Sequence, residues 1–404
     1  MTILAVQYLE SSPGTFAESR QVVRERLRIA LDMMPISLVL IGWEASEPLL
    51  DICRQETDRF GAKLFRWHPL LTGDGDFFPR PEWQPIGPSG ERVPGFRGMP
   101  EFTFVCPNRR AVQTAVLAHL QKSYQMKQYD GVFLDRIRFP SPAANPDRWL
   151  ACFCEECHQA AGEIGLDLKA VKAALQKVIH EQGQRQYFLD QLLGPAAGKP
   201  ESHELFLVDR FLKFRMASIT RFVSVAATLI YDEGLEVGLD TFSPALTRMV
   251  GQELGTLNEQ CEWIKVMSYG HALGPSGLPF EVLDLANWLI EFYGMSESEA
   301  LEMLSKALQH PLPKSLDSLR DSGVEPGVLQ AEMEHGRSVG VSCLLAGMEL
   351  VELEGVTNLT PHQIQTDLQA FHNGGADGLV FSWDLQLMPL ERLALVAADL
   401  EKNW

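Results

Sequence analysis

The chain predicts an α/β fold, a (β/α)8 TIM barrel, on three observations. Eight short apolar runs are spread along its 404 residues. Helical patterns alternate with them, which implies a parallel sheet between helix layers. No G-x-G-x-x-G follows the first run, against a dinucleotide-binding sheet, and eight repeats favour closure. A barrel takes about 250 residues and can exceed 400 with insertions. One domain over residues 1–404, with long loops, is therefore expected.

The strands are predicted at residues 3–9, 37–43, 62–67, 131–136, 236–241, 263–268, within 339–348, and at 378–383. Several are near-continuous apolar runs rather than alternations, as strands covered on both faces should be. Helical periodicity lies between them at 20–33, 47–60, 109–128, 205–231, 246–257, 328–335 and 361–373. Three insertions follow strands three, four and six, at 72–97, 140–200 and 273–322. The first is rich in Pro, Gly and aromatics, the second holds a cysteine cluster, and the third is largely helical beyond Pro279. Insertions after strands lie on the C-terminal face, where barrel enzymes place their binding loops.

Composition narrows the function classes. Hydrophobic residues make up 46% and charged residues 22%, as in ordinary globular proteins. The formal net charge of −18 disfavours nucleic acid and anionic membranes as partners. The N-terminus has no basic segment followed by a long apolar one, and no window approaches the roughly 20 apolar residues of a membrane span. A cytoplasmic protein is expected, with a homodimer left open. Seven cysteines, an odd number, fit a reducing compartment without structural disulfides.

Cys152-Phe153-Cys154-Glu155-Glu156-Cys157 forms a C-x-C-x-x-C block, and Cys106 offers a fourth thiol. Four thiolates suit a closed tetrahedral Zn²⁺ site that is structural, since no coordination position stays open for chemistry. No organic cofactor is expected.

The predicted strand ends carry acids: Glu44, Asp135, Asp240, Glu349 and Asp384. An acid at the C-terminal end of a barrel strand lies where such enzymes act. Two carboxyl groups across a scissile glycosidic bond would hydrolyse it, one protonating the leaving oxygen and the other attacking or activating water. Asp135 and Glu349 are the preferred catalytic pair, because strands four and seven face each other across eight. Arg138 would hold Asp135 ionised. Trp43, His68, Arg138, Lys265, Tyr269 and Trp383 are candidate substrate contacts with Glu44, Asp240 and Asp384. Trp67, Phe139 and Phe242 enlarge the aromatic face, and His271 lies just past strand six. The structural alternatives are helix capping by the acids and a buried Lys265–Asp240 ion pair.

With these segments in view, the chain resembles the TIM-barrel glycoside hydrolases. The stretches that carry the resemblance are Asp130 to Pro140, the cysteine block, Trp263 to Tyr269, and Ala376 to Asp384. The cysteine set is similar to the zinc cluster of family 42 β-galactosidases. In those enzymes a Glu after strand four is the acid and a Glu after strand seven the nucleophile. The resemblance implies a carbohydrate substrate and carries over to Glu349. Strand four departs from it, offering Asp135 where the family has Asn-Glu. A retaining glycosidase is the leading expectation. A non-catalytic carbohydrate-binding barrel, and a lyase or isomerase using Lys265 as base or Schiff-base former, are the alternatives.

Overall fold

A computed structural model describes residues 2–8, 20–43, 47–73, 77–125, 128–194 and 200–404. Glu44, one of the strand-end acids, lies outside these residues. The strands are β1 (Ile3–Tyr8), β2 (Leu38–Ile41), β3 (Lys63–Pro69), β4 (Gly131–Asp135), β5 (Glu236–Phe242), β6 (Trp263–Met267), β7 (Leu344–Glu349) and β8 (Gly378–Ser382). Each pairs in parallel with the next, and β8 returns to β1 through Ile3↔Gly378 and Ala5↔Val380, closing the barrel. The expected fold class is the observed one.

Pleat alternation divides the strand residues into two cores. Ala5, Leu38, Leu40, Phe65, Trp67, Phe133, Trp263, Leu345 and Val380 fill the barrel interior. The opposite parity, including Val6, Val39, Leu64, Val132, Leu239, Ile264, Ala346 and Phe381, is buried under the helices. Two inward glycines make the interior fit its large rings. A Cβ on Gly238 would lie 2.2 Å from the Trp263 ring, and one on Gly131 2.3 Å from the Phe65 ring.

A repeated device fixes the register at the N-terminal face. The residue before each even strand accepts a hydrogen bond from the backbone N–H opposite it on the preceding odd strand. Ser37 Oγ takes Leu4 N at 3.3 Å, Asp130 Oδ2 takes Leu64 N at 2.7 Å, Glu262 Oε2 takes Val237 N at 2.6 Å, and Asp377 Oδ2 takes Leu344 N at 2.8 Å. Arg54 and Arg337 pair with Asp130 and Asp377 from outside. Slipping a strand by one residue would break these bonds and turn its inner side chains outward.

The intervening segments are more helical than the periodicity suggests. Four helices, Pro146–Trp149, Glu155–Glu163, Leu168–His180 and Arg185–Leu193, precede the 29-residue helix His203–Tyr231 between β4 and β5. Ser202 starts that helix by accepting the Leu205 N–H at 3.1 Å. Between β6 and β7 lie Leu278–Tyr293, Glu297–Leu308, Leu316–Ser322 and Pro326–Ser338. The single helix expected at 246–257 is broken into Thr247–Val250 and Leu254–Asn258. Gly251 between them is left-handed, at φ 80°, a conformation that ends a helix. A last helix, Leu390–Asn403, went unpredicted and packs beside Arg20–Met33 and Pro361–Asn373. Among the described residues, no helix is long and apolar enough to cross a membrane.

Replacing Asp130 by Ala should remove the acceptor for Leu64 N and the partner of Arg54. A loss of about 1–3 kcal/mol is expected. It should appear as a lowered urea midpoint with unchanged far-UV circular dichroism.

Candidate active site

Above the apolar interior, the same inward parity turns polar. Gln7, Asp135, Asp240, Lys265, Glu349 and Ser382 follow on strands β1, β4, β5, β6, β7 and β8. Lys265 is fully buried at their centre. Its Nζ donates to Tyr269 Oη at 2.7 Å, Asp240 Oδ2 at 2.9 Å and Gln7 Oε1 at 3.3 Å. Gly347 leaves the room: a Cβ there would meet Lys265 Cε at 2.7 Å and Tyr269 Cε1 at 3.2 Å.

This network decides the charges. Burial disfavours the ammonium, yet the Asp240 and Tyr269 charges outweigh it and raise Lys265 above its ordinary value. A Schiff-base or general-base lysine needs the opposite shift. Burial, aided by the Asp135 charge and opposed by Lys265, pushes Asp240 up to about 7. Its Oδ1 is buried with no hydrogen-bond partner. Burial also pushes Tyr269 up to about 12. The predicted Lys265–Asp240 ion pair is present, and it is part of the barrel mouth.

Asp135 ends β4 half-buried. Trp67 Nε1 donates to its Oδ2 at 3.0 Å, and the Arg136 N–H to its Oδ1. The chain turns sharply here, with Arg136 at φ 52°, a left-handed conformation uncommon for a side chain of this size. The turn sends the Arg136 guanidinium over the rings of Trp43, Trp67 and Phe102 and onto Thr72 Oγ1 at 3.1 Å. Trp43 itself meets Trp67 edge-on at 4.6 Å between centroids, and Trp383 lies 5.7 Å from Tyr269. Trp383 is only partly buried, so one aromatic edge of the mouth faces solvent.

Arg138 does not pair with Asp135. It is buried between the rings of Phe104 and Phe242, 4.4 Å from each centroid, and donates to the Phe139 carbonyl at 3.1 Å. Burial lowers it to about 10, against the Glu281 and Asp135 charges, which leaves it cationic at neutral pH.

Glu349 ends β7 in a second network. Its Oε1 accepts the His271 N–H at 2.7 Å. The His271 ring bonds Asp367 Oδ2 through Nε2 at 2.9 Å and the Ser322 carbonyl through Nδ1 at 2.8 Å. Burial works against the imidazolium, but Asp367 and Glu349 raise it to about 9, so both ring nitrogens donate. Burial pushes the Glu349 carboxyl up to about 7, with His271 opposing. Asp367, on helix Pro361–Asn373, is a partner that sequence spacing gave no means of finding.

Two other candidates sit elsewhere. His68 has the outer parity of β3, and its ring lies 5.3 Å from His119 on helix Arg110–Tyr124, on the helix side of the sheet. Asp384 caps a short turn, Leu385–Leu387, by accepting the Gln386 N–H at 3.0 Å.

Cys106, Cys152, Cys154 and Cys157 converge into one buried cluster, with all four Sγ atoms within 4.8 Å of one another. Cys106 Sγ lies 3.7 Å from Cys154 Sγ and 3.4 Å from Cys157 Sγ. Four sulfurs about 2.3 Å from a tetrahedral zinc stand about 3.8 Å apart, so the donor set fits such an ion. The Ile86 N–H and Asn108 Nδ2 donate to Cys152 and Cys157 Sγ, each at 3.3 Å, as they would to thiolates. The cluster joins the β3 insertion to the β4 insertion.

No protein-family model and no curated protein matches the sequence. Solved structures do match. The glycoside hydrolase domain of PgaB (BpsB) from Bordetella bronchiseptica aligns over 98% of both chains, at 11% identity and TM-score 0.56. The catalytic domain of a β-amylase from Paenibacillus polymyxa aligns over 100% of this chain and 99% of its own, at 10% identity and TM-score 0.54. Gan42B, a GH42 β-galactosidase from G. stearothermophilus, aligns over 99% of this chain and 57% of its own, at 10% identity and TM-score 0.56. The chain shares the barrel fold of these glycoside hydrolases.

Glu349 gives a stability test. A glutamate ordinarily titrates near 4.3, and here near 7. Folding therefore favours the protonated form. That stabilisation is complete below about pH 4 and is lost as pH rises through about 7. Glu349→Gln, permanently neutral, should match the parent at pH 4 in urea denaturation. At pH 8 it should be the more stable by roughly 2–4 kcal/mol.

Proposed function

We propose that the chain hydrolyses O-glycosidic bonds at the mouth of its barrel, with Asp135 and Glu349 as the carboxyl pair. The observation that carries this is Asp135, a half-exposed acid at the end of β4 set among indole rings. Sugar rings present an apolar C–H face to aromatic surfaces and hydroxyls to polar groups, and this mouth offers both. Trp67 orients the Asp135 carboxylate for attack on the anomeric carbon or for stabilising its positive charge. Glu349, raised to about 7, holds a proton near neutrality, as a general acid must. Lys265, its three donors held by Tyr269, Asp240 and Gln7, places a fixed positive charge beneath the sugar.

A second reading of the partner acid rests on one observation. The Asp135 charge acts on Asp240, which is also raised to about 7 and leaves its Oδ1 unpaired. Single variants Asp135→Asn, Glu349→Gln and Asp240→Asn, assayed on a panel of aryl glycosides, separate the two. Asp135→Asn should lose at least about 10³-fold in kcat. The variant of the true acid should lose the alkaline limb near pH 7. A full-rate Asp135→Asn overturns hydrolysis by this site, and a chain that binds sugars without cleaving them is then the better description.

We further propose that Cys106, Cys152, Cys154 and Cys157 hold a structural zinc. The ion would bear no part of the reaction and would fix the two insertions that carry the aromatic rim. Elemental analysis of purified protein should find about one zinc per chain. Cys154→Ser should lower both the zinc content and the melting temperature. Metal-free protein as purified would overturn this assignment.

A further inference from the structure

Beside the barrel mouth, the insertions after β3, β4 and β6 enclose a pocket of about 370 Å³. Its size falls in the range of small-molecule sites. Phe96 and Phe102 come from the connection between β3 and β4, Trp149 from the insertion after β4, and Phe280 and Asp284 from helix Leu278–Tyr293. Arg138 lines the pocket as well, and its other face rests on Phe242, two residues beyond Asp240. One guanidinium thus spans from the barrel mouth to the pocket.

The pocket's polar groups fall into two kinds. Glu281 is committed, accepting from Ser141 Oγ and from the Ser276 N–H at 2.9 Å. Asp284 is not, and Arg138 is committed only in part, through its Nη1 bond to the Phe139 carbonyl. Arg138 is 4% exposed, forms no ion pair among the described residues, and its Nε is buried without a hydrogen-bond partner. A buried donor left without an acceptor is destabilising, and a bound acceptor would relieve that cost. Asp284 faces the pocket half-buried, and burial together with the Glu281 charge raises it to about 7. Arg97 and Arg138 balance the two acids, so the wall carries no strong net charge.

We infer that this pocket is a second sugar subsite, so that the chain acts on an oligosaccharide or polysaccharide running from Asp135 past Arg138. This rests on the proposed glycosidase reading and names its substrate class. Half-exposed rings would take the apolar face of a neutral pyranose, Asp284 would accept from its hydroxyls, and Arg138 Nε would donate to one. A ligand bearing a single sugar would reach the mouth and leave this pocket unused.

The test measures binding rather than turnover. An array of mono- to hexasaccharides of β-1,4-glucose, β-1,4-galactose and β-1,4-N-acetylglucosamine is titrated against full-length Asp135→Asn protein. Affinity should rise by at least about tenfold from mono- to trisaccharide in one series. Trp149→Ala and Asp284→Asn, each added to that background, should abolish the rise and leave monosaccharide binding unchanged. Trp149→Phe, which keeps an aromatic surface, should retain it and so controls for misfolding. A rise that survives both substitutions, or no binding by any member, overturns the subsite. If the rise depends on Trp149 while Asp135→Asn retains full turnover, the hydrolase assignment fails and the subsite stands.

Discussion

The register of the closed sheet is the constraint on which the rest depends. In a barrel, pleat parity decides which side chains meet at the axis, and one residue of slip would exchange the two cores. Here the pairing of β1 with β2, β3 with β4, β5 with β6 and β7 with β8 is pinned by one recurring bond. A side chain just before the even strand, from Ser37, Asp130, Glu262 or Asp377, receives the odd strand's facing N–H. These groups lie at the face away from the mouth. Their effect reaches it through parity alone, since the same register that pairs Asp240 with Lys265 turns both inward. Stability is spent at one end of the barrel and geometry is gained at the other, as the fold's division of labour requires.

Above that scaffold the interior must hold charge where water is excluded. Burying one lone ammonium would be prohibitive, and a buried ion pair is tolerated only when its remaining valences are met. Lys265 meets all three through Asp240, Tyr269 and Gln7. Asp240 does not, and its second oxygen is buried without a hydrogen-bond partner. Gly347 allows this arrangement by being absent as a side chain. The network gives the mouth a fixed cation under a solvent-facing carboxylate at Asp135, with a second raised carboxyl held by His271.

The barrel was legible in the sequence because its signals are local. Apolar runs bounded by acids mark strands, and eight alternations with helical periodicity mark closure. Asp135, Asp240, Lys265, Tyr269 and Trp383 were legible for the same reason: each sits at or just beyond a strand end, and the structure gathers them. The four cysteines came from spacing plus chemistry. What was hidden depends on parity or on long-range packing. His68 adjoins Trp67 in sequence, but that one-residue step sends it to the helix layer. Asp384 follows a strand like its fellow acids and is drawn into capping the turn behind it. Asp284 and Glu281 lie one turn apart on a helix inside an insertion, where no strand end points to them. Gly251 broke a helix whose apolar period was intact, because a left-handed residue overrides periodicity.

The two insertions after β3 and β4 show why long loops can carry a site at all. A loop that must present Phe102, Phe104 and Arg138 in fixed relation pays conformational entropy for each ordered residue. Three features share that cost. The cysteine cluster ties residue 106 to residues 152–157, and the Phe153 N–H bonds the Ile86 carbonyl at 2.7 Å. The Arg136 side chain reaches from the end of β4 to the Glu101 carbonyl. Helix His203–Tyr231 backs the cluster through Arg215, fully buried, which donates to the carbonyls of Ala151 and Met249. Arg136 therefore does two jobs with one strained residue. Its backbone donates to the Asp135 carboxylate, and its guanidinium anchors the loop that walls the pocket. Chemistry at the axis and recognition at the rim are thereby fixed by adjacent atoms of the same chain reversal, which couples the orientation of Asp135 to the order of the rim.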